Sequence, residues 1–254
     1  MNHMIRALVF AAAASGAAVS LLHTHTVIGT AHRGHMPEAG RPLFNSSGGF
    51  NRIIYPRANT DTTQPDPVHQ LLYIAPTSNT CSGAAFADEC VTSSPSTVQA
   101  IVNGFAKYQI TTAEEQAALL SWMAYESADF KYNHNHFPSP GNPGQGTRCM
   151  MSPTFVQEYA QSIPELRAKV PTGLTPADLD ATLALVQPDQ YSFAAAAWYY
   201  NQHCTDAQKR QVQAGGQNNW ASAFIGGCVN TAIDDRRIAY WVRACEALGV
   251  KVTQ

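Results

Sequence analysis

The run from Thr112 to Phe130, TAEEQAALLSWMAYESADF, limits the fold more than any other part of the chain. Thr112 followed three residues later by Glu115 is the pattern of a capping box, and it fixes a helix start. Leu119, Trp122, Met123 and Glu126 then recur at helical spacing, so Glu126 shares a face with bulky apolar side chains. An ionised carboxylate on such a face is costly unless paired, so its pKa should rise. A raised carboxyl is what a general acid needs near neutral pH. The competing reading is a helix-end glutamate that curls into solvent or pairs with an arginine.

The chain has 254 residues, 45% apolar and 13% charged, enough for one large domain or two small ones with a sizeable core. A net charge of −2 gives no broad surface for nucleic acid. Arg6 precedes the apolar run Ala7 to Ala14, and Ala18 and Ser20 suit cleavage after Ser20, so residues 1–20 read as a secretory signal. The run is too short to span a bilayer, and no later segment is long enough. A secreted, extracellular monomer without membrane partners is expected.

Six cysteines in such a chain argue for three disulfides in an oxidising compartment. The expected pairs are Cys81–Cys90, Cys204–Cys228 and Cys149–Cys245. No CxxC pair is present, so no zinc site is expected. Asn45-Ser46-Ser47 is a glycosylation sequon.

Residues 21–67 read as a weakly structured linker or pro-segment, rich in Gly, Pro, Ser and Asn and carrying His23, His25, His32 and His35. Cleavage directly before His23 or His25 would expose an N-terminal histidine, as in copper oxygenases with a histidine brace. Residues 68–254 form the main domain. Val68 to Ala75 is a short apolar run, read as a strand or extended lead-in. Pro95 opens a helix reaching Tyr108, with Ser94 as cap. The stretch 131–149 is a loop, by its prolines and glycines. Further helices are expected from Pro153 to Ala160, Ala177 to Val186, Gln190 to His203, Thr205 to Gln213 and Asn218 to Ile225. Asp234 and Asp235 precede a last amphipathic helix that ends at Gly249. The four alanines Ala194 to Ala197 suit close helix packing at the centre of the bundle.

Three patches carry the candidate chemistry: Tyr125 to Phe130 at a helix end, the turn Gly146 to Ser152, and Ala197 to Gln202. Their order resembles the lysozyme-like superfamily, above all goose-type lysozymes, lytic transglycosylases and secreted fungal proteins of that type. Those proteins carry a Glu-Ser pair at the end of a buried helix, then a Gly-Leu-Met-Gln-like turn, then an Ala-Tyr-Asn segment. Here the counterparts are Glu126-Ser127, Gly146 to Met151, and Tyr200-Asn201. Met151 stands where the motif has Gln, and Ala128 where the transglycosylases have Gly. The resemblance implies a mainly α, lysozyme-like helical domain with a central buried helix and disulfide staples.

It also implies a muramidase that cleaves β-1,4 bonds in peptidoglycan or another N-acetylglucosamine polymer without a cofactor. Glu126 would protonate the leaving oxygen, with Asp129 the nearest candidate for a second carboxylate and Asp88 or Glu89 the alternatives. A lytic transglycosylase needs no second carboxylate. Ser127, Tyr132, His136, Phe137, Arg148, Met150, Tyr200 and Asn201 are the expected substrate contacts. Tyr200 would steady Glu126, and Arg148 would either bind a carboxylate or hold its own turn. A chitin- or chitosan-acting glycosidase and a glycan-binding protein without turnover are the other readings. His134 and His136 alternate in a loop, and two ligands make a poor metal site, so none is expected. A serine hydrolase lacks its G-x-S-x-G elbow, and no odd thiol remains for a cysteine protease.

Overall fold

The computed structural model describes residues 66–254, and Pro67, Pro95, Pro153, Pro164 and Pro176 each open a helix in it. Proline fits that position because its missing N–H has no intrahelical partner there and its φ is already helical. The expected signal at residues 1–20, most of the expected linker with its histidines, and the Asn45 sequon lie outside the described residues.

Helix α1 is Pro67–Ile74, which corrects the strand or extended reading of this run. The run is too short for its period to decide. Pro67 starts it, and Gln70, Leu71 and Ile74 are its buried side chains. Gln70 Nε2 donates to Ala247 O at 2.7 Å and ties α1 to the end of the chain. Helix α2 is Pro95–Lys107, capped by Ser94, whose hydroxyl accepts from Thr97 N at 3.3 Å. A cap of this kind is worth about 1 kcal/mol.

Helix α3, Ala113–Glu126, starts at the expected capping box and is buried continuously from Glu115 to Ala124. A helix covered on all sides is the centre of a fold rather than one wall of it. Its principal partner is the last helix, and it also meets helices from beyond the long loop.

The second half supplies that cover. It comprises α4 (Pro153–Ser162), α5 (Pro164–Arg167), α6 (Pro176–Val186), α7 (Asp189–Ser192), α8 (Ala195–His203), α9 (Asp206–Ala214), α10 (Gln217–Asn219) and α11 (Asp235–Leu248). A π-helix, Trp220–Cys228, comes directly after α10. The single helix expected from Gln190 to His203 is broken at Phe193 and Ala194, both buried. Gly104 of α2 faces that break, and a Cβ on it would lie 2.8 Å from Ala194 Cα, so the two backbones touch. The alanine run therefore does serve close approach, at the corner between α7 and α8. Helix α11 ends as expected at Gly249, in the left-handed region at φ 69°.

No strand is formed among the described residues; two isolated bridges, His134 to Gly146 and Gly146 to Met151, pin the long loop. The described domain is thus mainly α, as expected. No helix among the described residues is long and apolar enough to cross a membrane.

Two of the expected disulfides form, Cys81–Cys90 and Cys204–Cys228. The third does not: Cys149 and Cys245 are buried free thiols. Cys149 feels the charge of Glu126, and Cys245 that of Glu114, at opposite ends of α3. Twelve residues of helix separate those ends by about 18 Å. A disulfide needs Cα atoms within about 7 Å.

Candidate functional site

Glu126 is the last residue of α3, and the residues after it turn the chain sharply away. Ala128, Asp129 and Phe130 all have positive φ, at 48°, 59° and 65°. Non-glycine residues in that region each cost on the order of 1–3 kcal/mol and persist only when neighbours hold them. Ser127 is one such support: it is buried, its Oγ donates to Met123 O at 2.6 Å and accepts from Phe130 N at 2.9 Å. Asp129 is another. Its carboxylate accepts from Thr77 N and Oγ1 at 2.9 and 2.7 Å, and from Tyr240 Oη at 2.6 Å.

The turn from Gly146 to Ser152 closes over the same helix end. A Cβ on Gly146 would collide with the Asn133 carbonyl and the Leu183 methyls, so only glycine fits. Arg148 is 1% exposed. It donates to Phe130 O at 3.0 Å and Tyr132 O at 3.1 Å, and pairs with Asp189 Oδ1 at 3.2 Å. Burial pulls its pKa below the usual guanidinium range, against the pull of Asp189. It is a clamp between the loop and α7.

Between the α3 end and this turn lies an open pocket of about 280 Å³. Trp122 and Glu126 come from α3, Cys149, Met150, Met151 and Ser152 from the turn, and Phe155 and Tyr199 from α4 and α8. Val229 and Thr231, just beyond the π-helix, and Arg237 of α11 complete it. Its walls mix aromatic and thioether side chains with the polar Gln145, Ser152 and Thr231, around one carboxylate and one guanidinium. Larger grooves on the α4 and α5 side also carry charge, among them His203 Nε2 at 3.3 Å from Glu158 Oε2, but neither is lined by α3.

Arg237 Nη1 lies 2.7 Å from Glu126 Oε1, with the two side chains 10% and 20% exposed. The charges touch, but off the axis of a good hydrogen bond: that nitrogen has no hydrogen-bonded partner. Arg237 is placed by Asp234, which caps α11 by accepting from Arg237 N at 2.7 Å. Asp234 also accepts from Tyr125 Oη at 2.7 Å, and the Tyr125 ring lies 4.0 Å from the Arg237 guanidinium. Burial pushes Glu126 above the ordinary carboxyl range, and neither Arg237 nor the Trp122 indole N–H, which both favour the charged form, brings it back. Both readings of the sequence therefore hold together: the carboxyl is buried and it has an arginine.

The remaining expected contacts scatter. Tyr200 Oη donates to Glu115 Oε1 at 3.2 Å, at the far end of α3, and Asn201 Nδ2 donates to Tyr108 O. The expectation that they flank Glu126 is corrected: α8 turns them toward the start of α3, while Tyr199 faces the pocket. Ser127, Asp129 and Arg148 are consumed by backbone and loop contacts. Tyr132, His136 and Phe137 gather elsewhere on the loop, with Phe137 exposed. Asp88 is exposed, and Glu89 Oε1 lies 2.6 Å from His136 Nε2. Glu89, His134 and His136 place ligand-type atoms within 4.8 Å of one another, the one metal-competent cluster among the described residues. Only Met150 joins Glu126 in the pocket. The Cys149 thiol there is pushed up to about 12 by burial, so it is no nucleophile near neutral pH.

Arg237, Phe155 and Thr231 escaped sequence reasoning, and Tyr199 entered it only as a member of the third patch. For Arg237 a signal existed: Asp234 as a cap fixes the register of α11 and so the residue three positions on.

No family model and no solved structure matches the chain. The chain is 37% identical over 168 residues to a bifunctional dioxygenase–epoxy alcohol synthase of Fusarium oxysporum (strain Fo5176). The similarity takes in 61% of this chain and 12% of that protein, so the chain spans about an eighth of its relative's length. The relative is named for oxidative chemistry, which overturns the lysozyme-like assignment and the muramidase expectation. The transglycosylase, chitin or chitosan and glycan-binding readings fall with it, as does a polysaccharide partner.

Proposed function

We propose that the chain is an acid–base domain whose Glu126 exchanges a proton with a small, uncharged, oxygen-bearing organic ligand. The observation that carries this reading is a carboxyl held above its ordinary range by burial, at a pocket mouth, with a guanidinium beside it. Such a carboxyl holds its proton to higher pH than an ordinary one, and Arg237 stabilises the carboxylate left after the proton is given. At about 280 Å³ the pocket sits just under the usual range for organic ligands, so it takes a small molecule or one end of a longer one.

The similarity to a segment of a dioxygenase–epoxy alcohol synthase supports an oxygenated ligand, and we take an epoxy alcohol as the class. Ring opening fits the site. The proton passes from Glu126 to the ring oxygen as the C–O bond breaks, water adds to the carbon, and the proton released from that water returns to Glu126. The products are a triol and the starting acid. The apolar wall of Met150, Met151 and Phe155 would seat the hydrocarbon part. The two disulfides support an oxidising compartment, in keeping with residues 1–20 as a secretory signal and 21–67 as a linker.

The test is incubation of the full chain with a mid-chain epoxy alcohol in ¹⁸O-labelled water, read by mass spectrometry. Wild type should incorporate one labelled oxygen and Glu126→Gln should not. Absence of turnover in wild type, or equal turnover in both, overturns the proposal.

A further inference from the structure

Away from the Glu126 pocket, the loop after α3 brings together two imidazoles and a carboxylate. His134 and His136, two apart on a non-helical segment, bring their rings to 4.9 Å between centroids. The segment is held along one edge. Thr147 N donates to Asn133 O at 2.8 Å, Asn135 N donates to Gln145 O at 2.9 Å, and His134 bridges to Gly146. Glu89 enters from the loop stapled by Cys81–Cys90. Its Oε2 accepts from Asn133 N at 3.0 Å and His134 N at 3.1 Å, which orients the carboxylate and leaves Oε1 facing His136 Nε2 at 2.6 Å. The Phe86 ring stacks on His136 at 3.5 Å between centroids, fixing the imidazole plane. Asp180 Oδ1 stands 3.8 Å from His134 Nε2 at the rim.

We propose that Glu89, His134 and His136 bind one divalent transition-metal ion. The donor set of two imidazoles and a carboxylate suits Zn²⁺ and its borderline neighbours rather than Ca²⁺ or Mg²⁺. Three protein ligands leave a position for solvent or a ligand atom. The fit asks little of the loop. Donor atoms around a tetrahedral ion with bonds near 2.0 Å lie roughly 3.3 Å apart, so the 2.6 Å Glu89–His136 contact opens slightly and the wider pairs, all within 4.8 Å, close. The carboxylate with its two backbone donors and the stacked ring are the outer support that metal ligands require. The competing account is that the Glu89–His136 contact only holds the loop.

Tag-free full-length protein, stripped with a chelator, should be titrated with Zn²⁺ by calorimetry and with Co²⁺ by visible absorption. One equivalent should bind, with a cobalt spectrum of low coordination number and a rise in Tm. His136→Gln keeps a hydrogen-bond donor toward Glu89 but lacks the ring nitrogen, so it should fold, by circular dichroism, and bind at least about tenfold more weakly. Glu89→Gln should do the same. Alanine at His23, His25, His32 and His35 should leave the equivalent in place. Absence of binding, binding unchanged by His136→Gln and Glu89→Gln, or binding lost only with the four N-terminal histidines overturns the proposal.

Discussion

Helix α3 carries a glutamate at each end, Glu115 buried and Glu126 half-buried, and the two could hardly be treated more differently. Glu115, 4% exposed, sits in the first turn, where the helix dipole favours negative charge. Its carboxylate accepts from Thr112 N and Oγ1 at 3.3 and 3.0 Å, from Tyr200 Oη at 3.2 Å and from Gln213 Nε2 at 2.8 Å. Glu126 ends the helix, where the dipole opposes its charge, and has only an off-axis contact with Arg237 and the Trp122 indole N–H as polar neighbours. Both are largely withdrawn from solvent; the number of donors is what separates them. A satisfied carboxylate is a structural part, and an under-satisfied one at a pocket is a group with chemistry to do.

The largest test of that contrast is activity. Glu126→Gln should cut epoxide opening by about 10²–10⁴-fold, the range of a general acid, while Glu115→Gln should leave it within a few-fold. Steady-state rates from product analysis check both. Stability should show the reverse order. Glu115→Ala removes one side of the capping box and leaves the buried Tyr200 hydroxyl only the longer contact to Lys209 O at 3.4 Å, and should cost about 1–3 kcal/mol in urea unfolding.

Arg237→Leu should cost about 1–3 kcal/mol at pH 7 by leaving the Glu126 carboxylate without its cation. That loss should shrink as pH falls, because Glu126 then takes up a proton. Wild type alone should show a smaller pH effect. A carboxyl raised in the folded state holds its proton to higher pH than the unfolded chain does, so its favourable contribution is full below the unfolded pKa and disappears as pH rises through the folded one. Urea midpoints of wild type and Glu126→Gln should therefore diverge from pH 4 to pH 7, with wild type losing ground. The two thiols mark the two helix ends and give the mildest check. Burial pushes Cys149 and Cys245 up to about 12, so neither should react with a thiol reagent until the chain is denatured.

Most of the helices were legible because their starts are chemical. Ser94, Thr112, Thr175, Thr205 and Asp234 all accept from the third residue of the helix they cap, and proline marks several of the same points. Breaks were not legible: nothing in YSFAAAAW announces a corner at Phe193 and Ala194, and the π-helix carries no residue that demands it. The Glu126 face could be read from period alone. Its arginine could not, since Arg237 is brought to it only by α11 packing along α3. The same limit misplaced Tyr200, where a rotation of α8 decides between the two glutamates. It hid the partner of His136 as well, because Glu89 is 47 residues distant.

The central claim is that Glu126 holds its proton above the ordinary glutamate range while Arg237 touches it. Carbon-13 NMR of the glutamate side-chain carboxyls, with Glu126→Gln to assign the resonance, measures that directly. The account predicts a titration midpoint for Glu126 above about 4.3, the unperturbed glutamate value. A midpoint at or below that value means that Arg237 outweighs burial, and the proton donor is lost.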